Sequence, residues 1–124
     1  MRSVFDQNMP QPLLRCLHPH DVEHAFHLGW AALANGDLIA AAELAGFDVL
    51  LTGDRRLRYQ QNIGTRRLGI VICTPTFWHV MRSHVADILA AIGQSGPGTF
   101  TELHLPRPAL VRRPPPDWGA WKYL

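Results

Sequence analysis

Asn35-Gly36-Asp37-Leu38-Ile39-Ala40-Ala41-Ala42-Glu43-Leu44-Ala45-Gly46-Phe47-Asp48-Val49-Leu50-Leu51-Thr52-Gly53-Asp54 is the stretch whose reading decides the fold. From Asp37 to Leu44 it is rich in alanine and leucine, strong helix formers, and Gly46 is well placed to end that helix. From Phe47 to Thr52 it is a near-continuous apolar run, the pattern of a strand buried on both faces of a sheet. A helix feeding such a strand predicts a parallel sheet covered by helices. The same stretch puts Asp37 at a helix start and Asp54 just past a strand end.

Working outward, Gly69 to Cys73 repeats the doubly buried pattern, and Val4-Phe5 is a short strand that closes on Asp6. Pro10 and Pro12 suit the first turn of a helix running through Leu13, Leu14 and Leu17, which His18-Pro19-His20 then breaks. Val22 to Phe26 alternates as a second strand would, before Gly29 turns the chain. Phe77 to Ile92 has helical spacing, Gly93 to Gly98 reads as a loop, and Thr99 to Leu105 as a last strand. The resulting expectation is a three-layer α/β/α domain over residues 1–106 with a mostly parallel central sheet of about five strands. Residues 107–124, rich in proline and aromatics, read as an extended tail.

The 124 residues suffice for one domain with a real core. An apolar fraction of 47% and a charged fraction of 18% are those of a globular protein rather than a disordered or fibrous one. Apolar runs fall far short of the roughly 20 residues that span a bilayer, and no signal peptide is visible, so a cytoplasmic location without a membrane partner is expected. Cys16 and Cys73 have no CxxC spacing, and Cys73 lies in an apolar run that suits a reduced, buried thiol. A net charge of +2 does not by itself argue for nucleic acid. The positive charge is concentrated, however, in Arg55, Arg56, Arg58, Arg66 and Arg67, a segment expected to form a short helix and loop.

Asp6 and Asp54 follow strands, and Asp37 can approach from a helix N-terminus. In a parallel α/β sheet the carboxyl ends of the strands form the ligand-binding rim, so the three acids are candidates to meet there. Clustered carboxylates repel one another unless a cation relieves them, and oxygen-only ligands favour magnesium or manganese. Such an ion activates water and stabilises the oxyanions of attack on a phosphodiester. Each acid also has a plainer role: Asp37 as a helix-start acid, Asp54 and Asp6 as turn residues. Arginines contact phosphate well and Tyr59 offers a stacking face, so Arg55, Arg56, Arg58, Tyr59 and Asn62 are candidate RNA contacts; a solvated arginine loop is the alternative. His18, His20, His24 and His27 do not share one face and read as structural or surface residues. Trp30 and Trp78 read as packing anchors.

Asp37 to Ala42 together with Gly46 to Asp54 resembles the acidic half of PIN domains, magnesium-dependent ribonucleases that are often toxins of toxin–antitoxin pairs. With Asp6-Gln7-Asn8-Met9-Pro10, His20-Asp21-Val22, Gly29-Trp30 and Asn35 to Leu38, the chain is similar to the compact PIN-like family DUF5615, over about Arg2 to Thr74. The resemblance implies Asp6, Asp37 and Asp54 as catalytic metal ligands, Mg²⁺ or Mn²⁺ as cofactor, RNA as substrate, and a small cognate antitoxin as partner. It also makes a homodimer an expectation. Two positions depart from the pattern: Gln7 replaces an acid, and only Glu23 is available for the acid that longer PIN domains carry on an intervening helix. These departures favour a second reading, a non-catalytic module binding RNA or a protein. A phospho-acceptor receiver fits less well, because Asp6 lacks an acidic neighbour and Lys122 lies in the tail.

Overall fold

A computed structural model gives the fold and describes residues 1–17, 21–59 and 67–106. The elements in chain order are β1 (Arg2–Phe5), α1 (Gln11–Cys16), β2 (Asp21–His24), α2 (Asn35–Leu44), β3 (Val49–Thr52), a 3₁₀ turn (Arg55–Tyr59), β4 (Gly69–Thr74), α3 (Trp78–Met81), α4 (Val85–Gln94) and β5 (Phe100–His104). The five strands form one sheet in the order β2-β1-β3-β4-β5, and every adjacent pair is parallel. The expected three-layer α/β/α architecture is therefore present, with β5 parallel like the rest.

Successive strand residues point to opposite faces, so a strand apolar at every position supplies two cores at once. Val49 and Leu51 of β3 join Phe5, Val71 and Cys73 under α1, α3 and α4. Leu50, between them, joins Val4, Ile70 and Ile72 under α2 on the other face. All four residues of β3 are buried. Trp30 anchors the α2 side, its ring edge-on to Phe47 with centroids 6.0 Å apart, and Trp78 packs against the opposite core.

Element ends move where local chemistry overrides the pattern. β2 stops at His24 because the ring Nδ1 takes the Phe26 backbone N–H at 3.1 Å, and the Ala25 carbonyl accepts from Leu28 and Trp30, which turns the chain. α2 starts two residues before Asp37, after an extended Ala34. The Phe77 to Ile92 pattern, expected as a single helix, splits into α3 and α4 at Ser83-His84, where His84 leaves helical geometry at φ −127° and ψ 25°. Helix α4 then runs to Gln94, past the expected loop start at Gly93. The connections β2 to β3 and β4 to β5 advance in the same direction across the sheet but over opposite faces, α2 on one and α4 on the other. They are consequently of opposite hand, a departure from the usual uniform right-handed crossover. No helix among the described residues is long and apolar enough to cross a membrane. His18, His20, Asn62, Arg66 and the tail over 107–124 lie outside the described residues.

Candidate active site at the carboxyl edge of the sheet

Neighbouring strands β1 and β3 send the chain to opposite faces as they leave the sheet. After β1 it passes to the face of α1, where Leu13 and Leu17 pack beside Phe5, and after β3 it passes to the α2 face, where Leu57 packs with Leu50. A crevice opens where outgoing connections part in this way, and it is the usual ligand position in open parallel sheets. Here it is a cleft of about 560 Å³. Asp6, Gln7 and Asn8 line it from the end of β1, Asp54 and Arg56 from the end of β3, and Leu33, Ala34 and Gly36 from the approach to α2.

Asp6 is 9% exposed and held at both oxygens: Oδ1 accepts the Gln7 backbone N–H at 2.7 Å, and Oδ2 accepts the Thr52 hydroxyl at 2.6 Å. Thr52, fully buried, also accepts the Asp54 backbone N–H on the same oxygen at 3.1 Å. One hydroxyl thus orients the two acids across the β1–β3 boundary. Asn8 adds a second tie, its Oδ1 accepting the Gly53 backbone N–H at 3.1 Å.

The Asp54 side chain is 13% exposed and faces the Arg56 guanidinium. Arg56 donates from Nε to Oδ1 at 3.0 Å and from Nη2 to Oδ2 at 2.8 Å, while its backbone N–H also reaches Oδ1 at 3.0 Å. Hydrogen bonding to Asp54, and then its charge, raise the Arg56 guanidinium above its ordinary value. A planar fork on a carboxylate is the strongest geometry open to an arginine.

Asp37 stands apart from this pair. It is exposed in the first turn of α2, and the helix approach presents Ala34 and Gly36 to the cleft instead. Glu23 is half-buried within β2, in register with Val4, and does not line the cleft. Among the described residues, no group of three or more histidine, cysteine or acidic side chains is placed to hold a metal together. The carboxylates available to a metal at this cleft, among the described residues, are those of Asp6 and Asp54. That donor set still fits magnesium or manganese, which are commonly held by one or two carboxylates with water and substrate phosphate filling the rest. The guanidinium on Asp54 is a cation standing where such an ion would bind.

Of the candidate RNA contacts, Arg56 lines the cleft, Arg55 is exposed beside it, and Arg58 and Tyr59 belong to the same 3₁₀ turn. His24 is buried with both ring nitrogens engaged: Nδ1 accepts from Phe26, so Nε2 carries the proton and donates to the Met9 carbonyl at 3.0 Å. It braces the loop that follows Asp6, a structural role in keeping with the sequence reading. Thr52 and Asn8 are the positioning residues that sequence reading passed over. The available signal for Thr52 was a single hydroxyl ending an otherwise apolar strand two residues before an acid.

Comparison with family models, curated proteins and solved structures finds no match to this chain. The class that fold and site define is thus a three-layer parallel α/β protein with an acidic cleft at its β1/β3 switch point.

Proposed function

We propose that the protein is a Mg²⁺- or Mn²⁺-dependent endoribonuclease and the toxin of a two-component pair. The observation that carries the nuclease reading is the placement of Asp6 and Asp54 in one cleft, joined through Thr52, with an arginine at its mouth. Asp6 and Asp54 would hold the ion, which when bound supplies Lewis-acid activation of water and of the phosphodiester. Thr52 keeps Asp6 oriented, Asn8 fixes the neighbouring loop, and Arg56 with Arg55 offers guanidinium groups to the phosphate backbone. The toxin assignment and its antitoxin partner rest on the PIN-like resemblance.

The test is RNA cleavage in Mg²⁺ or Mn²⁺ by the wild type, Asp6→Asn and Asp54→Asn. Each substitution is expected to lower the rate by at least about a hundredfold, equivalent to roughly 2.7 kcal/mol of transition-state stabilisation. Equal cleavage by all three proteins would remove these residues from the mechanism.

A specific observation favours the second reading, a non-catalytic module that binds RNA or a protein partner. Among the described residues two carboxylates line the cleft, with the neutral Gln7 beside them and Asp37 exposed. Calorimetry separates the two readings: no saturable Mn²⁺ binding at millimolar concentration, with RNA binding retained, would favour the module.

A further inference from the structure

Arg56 presents a feature that the nuclease reading alone does not use. Its guanidinium spans both oxygens of Asp54, the carboxylate that would help hold a divalent cation. We propose that Arg56 is the resident counter-ion of this cleft: it neutralises Asp54 until a divalent cation displaces it, and the released guanidinium then takes the phosphodiester. Metal and nucleic acid consequently bind with positive cooperativity. The proposal rests on the metal-site reading above and adds the residue that couples the two ligands.

Three features make the exchange physically simple. First, the Arg56 side chain is 82% exposed, so moving it unpacks nothing. Its cationic end is solvated, so water takes up the guanidinium as it leaves, and a hydrated divalent ion with twice the charge competes for the same carboxylate. Second, Asp54 does not depend on the guanidinium for its orientation. The Arg56 backbone N–H remains on Oδ1 at 3.0 Å, and the Thr52 hydroxyl still holds the Asp54 backbone N–H at 3.1 Å. Third, Arg56 lines the same cleft as Asp6 and Asp54, so the freed group is already beside the place where a bound phosphate would sit. With Nε and one Nη2 N–H on Asp54, three of the five guanidinium donors remain but the charge is already neutralised; displaced from the carboxylate, Arg56 recovers its full charge and all five donors for a phosphate.

The coupling must run in both directions, because linkage between two binding equilibria is reciprocal. A cation that displaces Arg56 improves the site for phosphate, and a phosphate that draws Arg56 away takes its guanidinium off Asp54 and favours the cation. Permanent occupation of Asp54 by Arg56 would make the opposite prediction, a cleft closed to divalent ions.

The decisive experiment is titration calorimetry of the full chain with MnCl₂, without nucleic acid, for the wild type, Arg56→Gln, Arg56→Lys and Asp54→Asn. Arg56→Gln is expected to bind Mn²⁺ about three- to fivefold more tightly than wild type, the scale of an exposed charge pair. Arg56→Lys keeps the charge but loses the fork and is expected to fall between them, while Asp54→Asn loses the binding. Unchanged or weaker binding by Arg56→Gln, with Asp54→Asn still defective, overturns the counter-ion role and leaves the metal site standing. Absence of saturable binding in both wild type and Arg56→Gln overturns the metal site and this proposal together. A second readout is the anisotropy of a labelled, non-cleavable 2′-O-methyl RNA oligomer. Mn²⁺ should tighten its binding to the wild type more than to Arg56→Gln; equal tightening in both proteins overturns the exchange.

Discussion

Thr52 donates its hydroxyl proton to Oδ2 of Asp6 at 2.6 Å, from a fully buried position on the neighbouring strand. The register explains the pairing: Phe5 lies opposite Leu51, so the next residues along, Asp6 and Thr52, fall side by side on the opposite face. The same hydroxyl both donates and accepts, since it takes the Asp54 backbone N–H while giving its own proton to Asp6. Pairing of β1 with β3 brings the two acids to one cleft, and a single side chain there is bonded to both residues.

Thr52→Val tests that link with little change of shape. It leaves Asp6 Oδ2 without its donor and the Asp54 N–H without its acceptor, at an expected cost of about 1–3 kcal/mol. Urea unfolding should show a lower midpoint at unchanged slope. Mn²⁺ affinity should fall by roughly 10- to 100-fold, the usual penalty for losing a group that orients a metal ligand. A variant with wild-type midpoint and wild-type affinity would show that the hydroxyl positions nothing.

Asp37 makes the complementary case. Exposed in the first turn of α2, it interacts favourably with the helix dipole, and Asp37→Asn should cost about 0.3–1 kcal/mol of stability at low ionic strength. Because it does not line the cleft, Mn²⁺ affinity should stay within about a factor of two of wild type, below the tenfold that 1.4 kcal/mol represents. A calorimetric loss comparable to that of Asp6→Asn would return Asp37 to the metal site.

How far the sequence disclosed this arrangement depended on the range of the interactions involved. Burial on both faces leaves a direct mark, a near-continuous apolar run, and β3 and β4 fall on the two runs that carry it. Helix breaks leave a weaker one: Arg82-Ser83-His84 is polar between Met81 and Val85, yet helical spacing of the apolar residues persists across it. Strand order leaves none, since it depends on which faces the connecting helices cover. Asp6 and Asp54 were visible as acids after strands because that is a local property. The exposure of Asp37 was not, because it depends on how α2 enters the structure from an extended Ala34. Thr52 was hidden for a related reason, its role arising only when β1 and β3 pair.

Gly53 separates Thr52 from Asp54, and packing rather than backbone conformation accounts for a glycine there. Its φ lies outside the left-handed region, but an added Cβ would overlap Cγ2 of Thr76, while Met9 Cε and the Cys73 carbonyl would remain at an ordinary 3.5 Å. Gly53→Ala should therefore destabilise the protein by about 1–3 kcal/mol, as overpacking does. Thr76→Ser removes the offending methyl, so the double variant should recover most of that loss. A double-mutant cycle on unfolding free energies reads the coupling directly, and additive effects would disprove the contact.

Cys73 provides a test of the core beneath the site. Both cysteines are free, Cys16 exposed and Cys73 buried, and burial pushes the Cys73 thiol up to about 12. The thiolate is the reactive form, so at pH 8 iodoacetamide should add once to the native protein, at Cys16, and a second time only after unfolding. The same shift fixes the sign of the pH dependence. Above about pH 8.5 the unfolded chain gives up the Cys73 proton while the folded chain retains it, so the unfolded state binds fewer protons and stability falls as pH rises. The limiting slope from this one group is about 1.4 kcal/mol per pH unit, extending until the folded thiol ionises near 12. Cys73→Ala removes the titration, and its stability should decline less steeply than that of the wild type over this range. Parallel pH profiles for the two proteins, or rapid double alkylation of the native chain, would show that Cys73 is not held as a buried neutral thiol.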